Sequence, residues 1–247
     1  MADGFIVRWQ SEHLQQAFAK LSRDQLPFAV ALAATRTAQK VRSNEIAVMR
    51  KRFDRPTPWT LRSLYLRAAT KAEPEAVVWF KDWAPKGAPA GKYLIPEVYG
   101  GPRSTKGLER ALAGRGWLRP GQYLVPASAA PLDPYGNVQR RLITQIMSGL
   151  RAFSEVGYSA NATASRRSRR KGHAERFFVG TVDGTEAIWE RRRFGFGVGV
   201  RPLFLIVDRA PRYRVRFPFF RVAEHTVKAH YERIFASALA EAIQTAR

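Results

Sequence analysis

Lysine and arginine outnumber aspartate and glutamate by 42 to 20, and this imbalance constrains the folded chain more than any motif in it. Even with every carboxylate paired to a base, 22 positive charges remain without a counter-charge. Self-repulsion on that scale opposes compactness, so the sequence calls for an anionic neighbour, either a polyanion or an acidic protein surface. The 247 residues are still 45% apolar and 12% aromatic, enough to bury one good core or two small ones, and disorder throughout is excluded.

The absence of cysteine excludes disulfide scaffolds, thiol nucleophiles and cysteine-ligated metal centres. Four histidines and three methionines argue against other transition-metal sites, so no cofactor is expected. The opening MADGFIVRWQSEH has no sustained apolar run, and no window approaches 18 uninterrupted apolar residues. The expectation is a soluble product of a reducing cytoplasm, with no membrane partner.

Apolar residues at helical spacing predict a long helix over 26–52, capped by Asp24 or Ser22, with Pro27 in its first turn and Pro56 and Pro58 ending it. Strand formers at 61–71 and 76–82 predict a hairpin. From 84 to 134 proline and glycine recur, and the only helical pattern is 104–113. A helix over 137–153 follows, with Asn137 as its cap. Residues 159–173 carry five positive charges and no acid, which predicts a loop or arm. A second hairpin is expected at 176–182 and 186–193, a flexible glycine connection at 194–199, and a buried strand at 202–208. Over 212–217 strict alternation places Arg212, Arg214 and Arg216 on one strand face, with Tyr213, Val215 and Phe217 on the other. A closing helix over 223–245 aligns Val227, Tyr231, Ile234, Phe235, Leu239 and Ile243.

These elements predict an α+β fold in which antiparallel β-hairpins pack against a long N-terminal helix and a C-terminal amphipathic helix. Residues 1–84 and 174–247 are expected to form one structural unit, with 85–173 inserted as a loop-and-helix lobe carrying the basic arm.

Catalytic chemistry finds few players. The run Gly87 to Tyr93 is one residue short of a phosphate loop and places Tyr where a metal-binding hydroxyl is needed. Gly195, Gly197 and Gly199 lack dinucleotide-binding spacing and suit a bend. His225 and His230 are five apart and share no helix face, and the carboxylates are scattered. The chain is therefore not expected to be an enzyme.

Basic clusters carry the weight instead. Residues 159–173 hold Arg166, Arg167, Arg169, Arg170 and Lys171, and residues 191–221 hold nine arginines against Asp208 alone. Arg191, Arg192 and Arg193, with the row Arg212, Arg214 and Arg216, would line a sheet face with guanidinium groups. Such a face can neutralise phosphates without reading sequence, or dock bidentately on carboxylates of a partner.

The order of elements resembles a known group. The opening helix with Leu26-Pro27-Phe28-Ala29 and Thr35-Arg36-Thr37-Ala38 resembles the start of the minor tail protein Z family of lambda-like phages. Phe177-Phe178-Val179, Ile188-Trp189-Glu190-Arg191-Arg192, Pro202-Leu203-Phe204-Leu205 and Arg216-Phe217-Pro218-Phe219 before an amphipathic helix are similar to tail-completion and neck proteins. The runs Gly100-Gly101-Pro102-Arg103 and Asp133-Pro134-Tyr135-Gly136-Asn137 resemble prophage structural proteins. The resemblance implies a structural virion protein, a ring or collar subunit at the head-tail neck or upper tail, assembled in the host bacterial cytoplasm. Implied partners are portal, connector and tail-tube proteins, further copies of itself, and the packaged DNA. The competing expectation from charge alone is a sequence-independent nucleic-acid-binding protein that uses the Arg-rich strand and the basic arm.

Overall fold

In the computed structural model, which describes residues 25–85, 87–153, 160, 162–195 and 197–245, the alanine-rich stretch forms a 27-residue helix, α1 (Leu26–Arg52). It is followed by α2 (Pro58–Leu61), β1 (Leu64–Arg67), β2 (Val77–Phe80), α3 (Gly91–Tyr99), β3 (Gly101–Pro102), α4 (Gly107–Ala113) and β4 (Tyr123–Pro126). Then come α5 (Arg140–Gly149), α6 (Arg166–Arg170), β5 (Phe177–Val182), β6 (Thr185–Phe194), β7 (Gly197–Val207), β8 (Arg212–Tyr213) and α7 (Phe219–Gln244). The class is α+β, with antiparallel sheets between a long N-terminal helix and a C-terminal helix. Two compact units result: the chain up to Leu94 together with the chain from Arg216, and Ile95–Val215.

In the first unit α1 begins with Pro27 in its first turn, where a missing N–H does no harm. The expected caps Asp24 and Ser22 lie outside the described residues. Arg50, Lys51 and Arg52 in the last turn complement the negative end of the helix dipole. Helix α7 runs antiparallel to α1: Arg36 pairs with Glu241 at 2.8 Å, and Asn44 donates to Thr226 Oγ1 at 2.9 Å. Buried on α1 are Ala29, Ala31, Ala33, Thr37, Ala38, Val41, Glu45 and Met49, and along α7 beyond Phe219 only the small side chains of Thr226, Ala238 and Ala242. Val227, Tyr231 and Ile243, expected on the packing face, are exposed instead. Alanine gives two backbones a closer approach than that wider apolar stripe, so the small face won the interior.

The hairpin of β1 and β2 forms as expected, in the register Leu64 with Phe80 through Arg67 with Val77, and contacts α1. Phe80, Phe217 and Phe219 are buried beside Phe53 and Trp79, with ring centroids 5.2 to 6.1 Å apart at tilted or edge-on angles. Such aromatic pairs contribute about 0.5–1.5 kcal/mol each beyond their buried area.

The second unit is built on a four-stranded antiparallel sheet in the order β4-β7-β6-β5. Its core joins Leu112, Leu124, Leu142 and Ile146 to Phe177, Ile188, Leu203, Phe204 and Ile206. That shared core explains why the second hairpin groups with the preceding lobe, whereas the sequence reading joined 174–247 to the first 84 residues.

Several expectations change inside this unit. Helix α3 and strand β4 lie in the stretch where only 104–113 had a helical pattern. Helix α5 starts after Gln139, because Asn137 belongs to a turn in which Asp133 Oδ1 accepts from the N–H groups of Tyr135 and Asn137. The glycine connection is strand from Gly197 onward, continuous with the buried strand. The strand expected over 212–217 is only two residues long, paired to Gly101 and Pro102. Phe217 is buried as expected, Tyr213 half-buried, and Val215 exposed.

A buried ion pair ties α4 to β4. Glu109, 1% exposed, accepts from both terminal nitrogens of Arg103, from Lys106 N–H at 2.6 Å and from Leu124 N–H at 2.7 Å. Burial raises the pKa of this carboxyl, but the bonds from Arg103, Leu124 and Lys106 bring it below the ordinary carboxylate value.

Candidate interface on an arginine-lined hairpin

Strand β6 pairs with β5 only as far as Glu190, and β7 pairs with β4 only from Phe204 onward. Among the described residues, 191–194 and 197–200 therefore have no other strand beside them, and β6 and β7 continue as a two-stranded extension. The register shifts between Ile188 and Trp189, which leaves Leu203 as an extra residue on β7. Such a bulge bends and further twists the strand, and Pro202 beside it can donate no ladder hydrogen bond. Both features mark where the extension leaves the sheet.

The base of the extension is charge-saturated. Glu190 is 2% exposed; its Oε1 accepts from Arg176 Nε at 2.7 Å, and its Oε2 from Arg201 Nε at 2.7 Å. Burial pushes this carboxyl up, but the two guanidinium groups outweigh burial and hold it below its ordinary value. The one carboxylate of residues 190–201 is thus committed to two arginines at the base.

Beyond it lie Arg191, Arg192 and Arg193, all exposed. Arg191 is held in place. Its guanidinium stands 4.2 Å from the Phe178 ring centroid and donates to Glu175 O, and Phe178 in turn stacks on Trp189. Arg192 and Arg193 have no carboxylate partner among the described residues. The strand pleat puts Arg191 and Arg193 on one face, across from Val200 and Val198, and Arg192 and Phe194 on the other, across from Gly199 and Gly197. Phe194 is 60% exposed and Val198 62% exposed. The Phe194 ring occupies the space over Gly199, where an added Cβ would lie 2.8 Å from Cε2. Glycine is needed there for the ring to lie flat on the neighbouring strand, an arrangement known to rescue strand glycines. Guanidinium groups, an aromatic ring and two valines thus share one exposed two-stranded element.

The other expected residues are distributed differently. Arg212 and Arg214 are exposed in the second unit, while Arg216 belongs to the first, so the two arginine sets do not form one sheet face. Arg166, Arg167, Arg169 and Arg170 lie on a short helix instead of a loop, exposed, with Lys171 at its end. Ser165 caps that helix by accepting from Ser168 N–H at 3.2 Å, and Ser168 is buried. Residues 159 and 161 of the same basic stretch, and Phe196, lie outside the described residues. Sequence reasoning missed Phe194, Val198 and Val200, although Val198 and Val200 alternate with glycine at strand period.

Among the described residues no three of His, Asp and Glu converge as a metal site would require, and no helix is long and apolar enough to cross a membrane. No protein-family model, curated protein or solved structure matches the chain.

Proposed function

We propose that the chain is a structural assembly subunit of a tailed-phage virion, at the neck or upper tail, which docks its arginine-lined hairpin onto a carboxylate-rich face of a neighbouring subunit. The observation that carries this reading is the hairpin extension itself. It spends its only glutamate on its base and presents Arg192 and Arg193 beside exposed Phe194, Val198 and Val200. A solvated face would gain nothing from exposing those apolar groups, whereas a hairpin gripped on both faces, each of which sets arginine beside an apolar side chain, uses both. The order of elements that resembles tail-completion proteins supplies the setting; the neighbours are portal, connector or tail-tube proteins, or further copies in a ring. Charge-reversed Arg192→Glu with Arg193→Glu, made together, is expected to leave the melting temperature unchanged and to cut incorporation into particles, read by mass spectrometry of purified virions, by about tenfold or more. Incorporation at the wild-type level would refute the assignment.

Exposed Arg166, Arg167, Arg169, Arg170 and Lys171 favour a second reading, sequence-independent contact with nucleic acid. Its signature is a linear fall of log affinity with log salt, with slope about −0.9 per duplex phosphate contacted.

A further inference from the structure

In the first unit, the end of α1 and the start of α7 border an open groove of about 710 Å³ that the hairpin interface does not involve. Its walls follow from helical spacing. Asn44, Val48 and Arg52 recur at i, i+4 on α1, as do Ala47 and Lys51, while Arg221 and His225 share a face of α7 beside Val222 and Thr226. The hydrogen bond from Asn44 to Thr226 locks the two walls together. Four basic side chains line the groove, Lys51, Arg52, Arg221 and His225, and no carboxylate does.

Helix stability accounts for two of these four. Lys51 and Arg52 suit the negative end of α1. Arg221 sits in the first turn of α7, at the positive end of a helix with no acid in that turn, and His225 one turn further on. A cation there is disfavoured by the helix dipole, so its position needs another reason.

We infer that this groove binds phosphoryl groups. Three permanent cations around one small space match an anion that concentrates several negative charges on adjacent atoms, and the forked donors of Arg52 and Arg221 fit phosphate oxygens bidentately. A peptide carboxylate supplies one charge per residue and leaves the rest of the walls uncompensated. The volume lies in the range of small-ligand clefts.

The test is calorimetric titration of the whole chain with sodium pyrophosphate, and in parallel with a short single-stranded oligodeoxythymidine, in about 150 mM salt to suppress diffuse attraction. Saturable binding is expected, weakened about tenfold or more by Lys51→Ala with Arg221→Ala, and kept within about twofold by Lys51→Arg, which preserves the charge. Removing the same charge outside the groove of the same unit, with Arg62→Ala and Lys81→Ala, is expected to change affinity less than about twofold. Tighter binding of pyrophosphate identifies a free phosphoryl ligand, and tighter binding of the oligonucleotide identifies a nucleic-acid backbone as its source. Amide chemical-shift changes in the unaltered chain should concentrate in 44–52 and 218–226, a readout that survives even if the alanine pair fails to fold. Absence of saturable binding by both probes, equal weakening by the two alanine pairs, or shift changes centred elsewhere would overturn the inference. Charge reversal at Arg192 and Arg193 should leave pyrophosphate binding intact, which separates this site from the hairpin interface.

Discussion

Two buried glutamates in this chain show how neighbours, and not burial, decide whether a charge can remain inside. Glu109 is as buried as Glu45, yet it receives four hydrogen bonds and stays an anion. Glu45 is fully buried on α1 with both carboxylate oxygens unbonded, and desolvation raises its pKa from 4.5 to about 8. Between pH 4.5 and 8 the folded chain keeps that proton while the unfolded chain has released it, so stability falls as pH rises and levels off above about 8. At about 1.4 kcal/mol per pH unit the total loss is on the order of 5 kcal/mol. Glu45→Leu should therefore stabilise the chain, and by more near pH 8 than at about pH 4.5, where only the unbonded neutral carboxyl is removed. Denaturant midpoints measured across that range check this, and a pH-independent difference would contradict it.

At the scale of elements, the hairpin extension is nearly separable from the fold that carries it. Glu190 and Arg201 face each other across β6 and β7, so replacing residues 191–200 by Asn-Gly joins the strands through a two-residue turn of suitable twist. The shortened chain should melt within a few degrees of the original, since no described residue among those removed is buried, and should lose association with its partner. Collapse of the fold would mean that the extension is part of the core. Elements with strong periodicity were legible in the sequence: α1, the β1–β2 hairpin, the pairing of β5 with β6, and α7. The long β7 was not, because Gly197 and Gly199 carry no side chain to register strand alternation, and the cross-strand cover from Phe194 appears only when the hairpin closes. The arginine row at 212–216 misled for a related reason. Alternation put its arginines outside and Phe217 inside, but Phe217 packs with Phe53, Phe80 and Phe219 in the first unit, so the chain leaves the second unit before a long strand can form. The clamp on Glu109 was foreshadowed only by Lys106-x-x-Glu109, a spacing that a capping box shares with much of any surface.

Across the whole molecule the charge surplus is divided, not concentrated. Residues 95–215 hold 21 of the 42 lysines and arginines against 9 of the 20 acids, so each unit is strongly cationic by itself. The hairpin of one unit and the helix groove of the other are where that surplus meets exposed apolar groups or a groove, whereas Arg103 is buried on Glu109 and Arg176 and Arg201 are committed to Glu190. A cationic unit that carries an arginine-lined hairpin is suited to association steered by an acidic neighbour, which salt weakens. The claim at the centre of this account is that the hairpin is covered in the assembled particle. A photo-crosslinking phenylalanine analogue placed at Phe194 tests it most directly in purified virions, with the same group at exposed Trp83 as the control. The account predicts crosslinks from position 194 to one neighbouring subunit, at a segment rich in aspartate and glutamate. Crosslinking at 194 no greater than at 83 would contradict it.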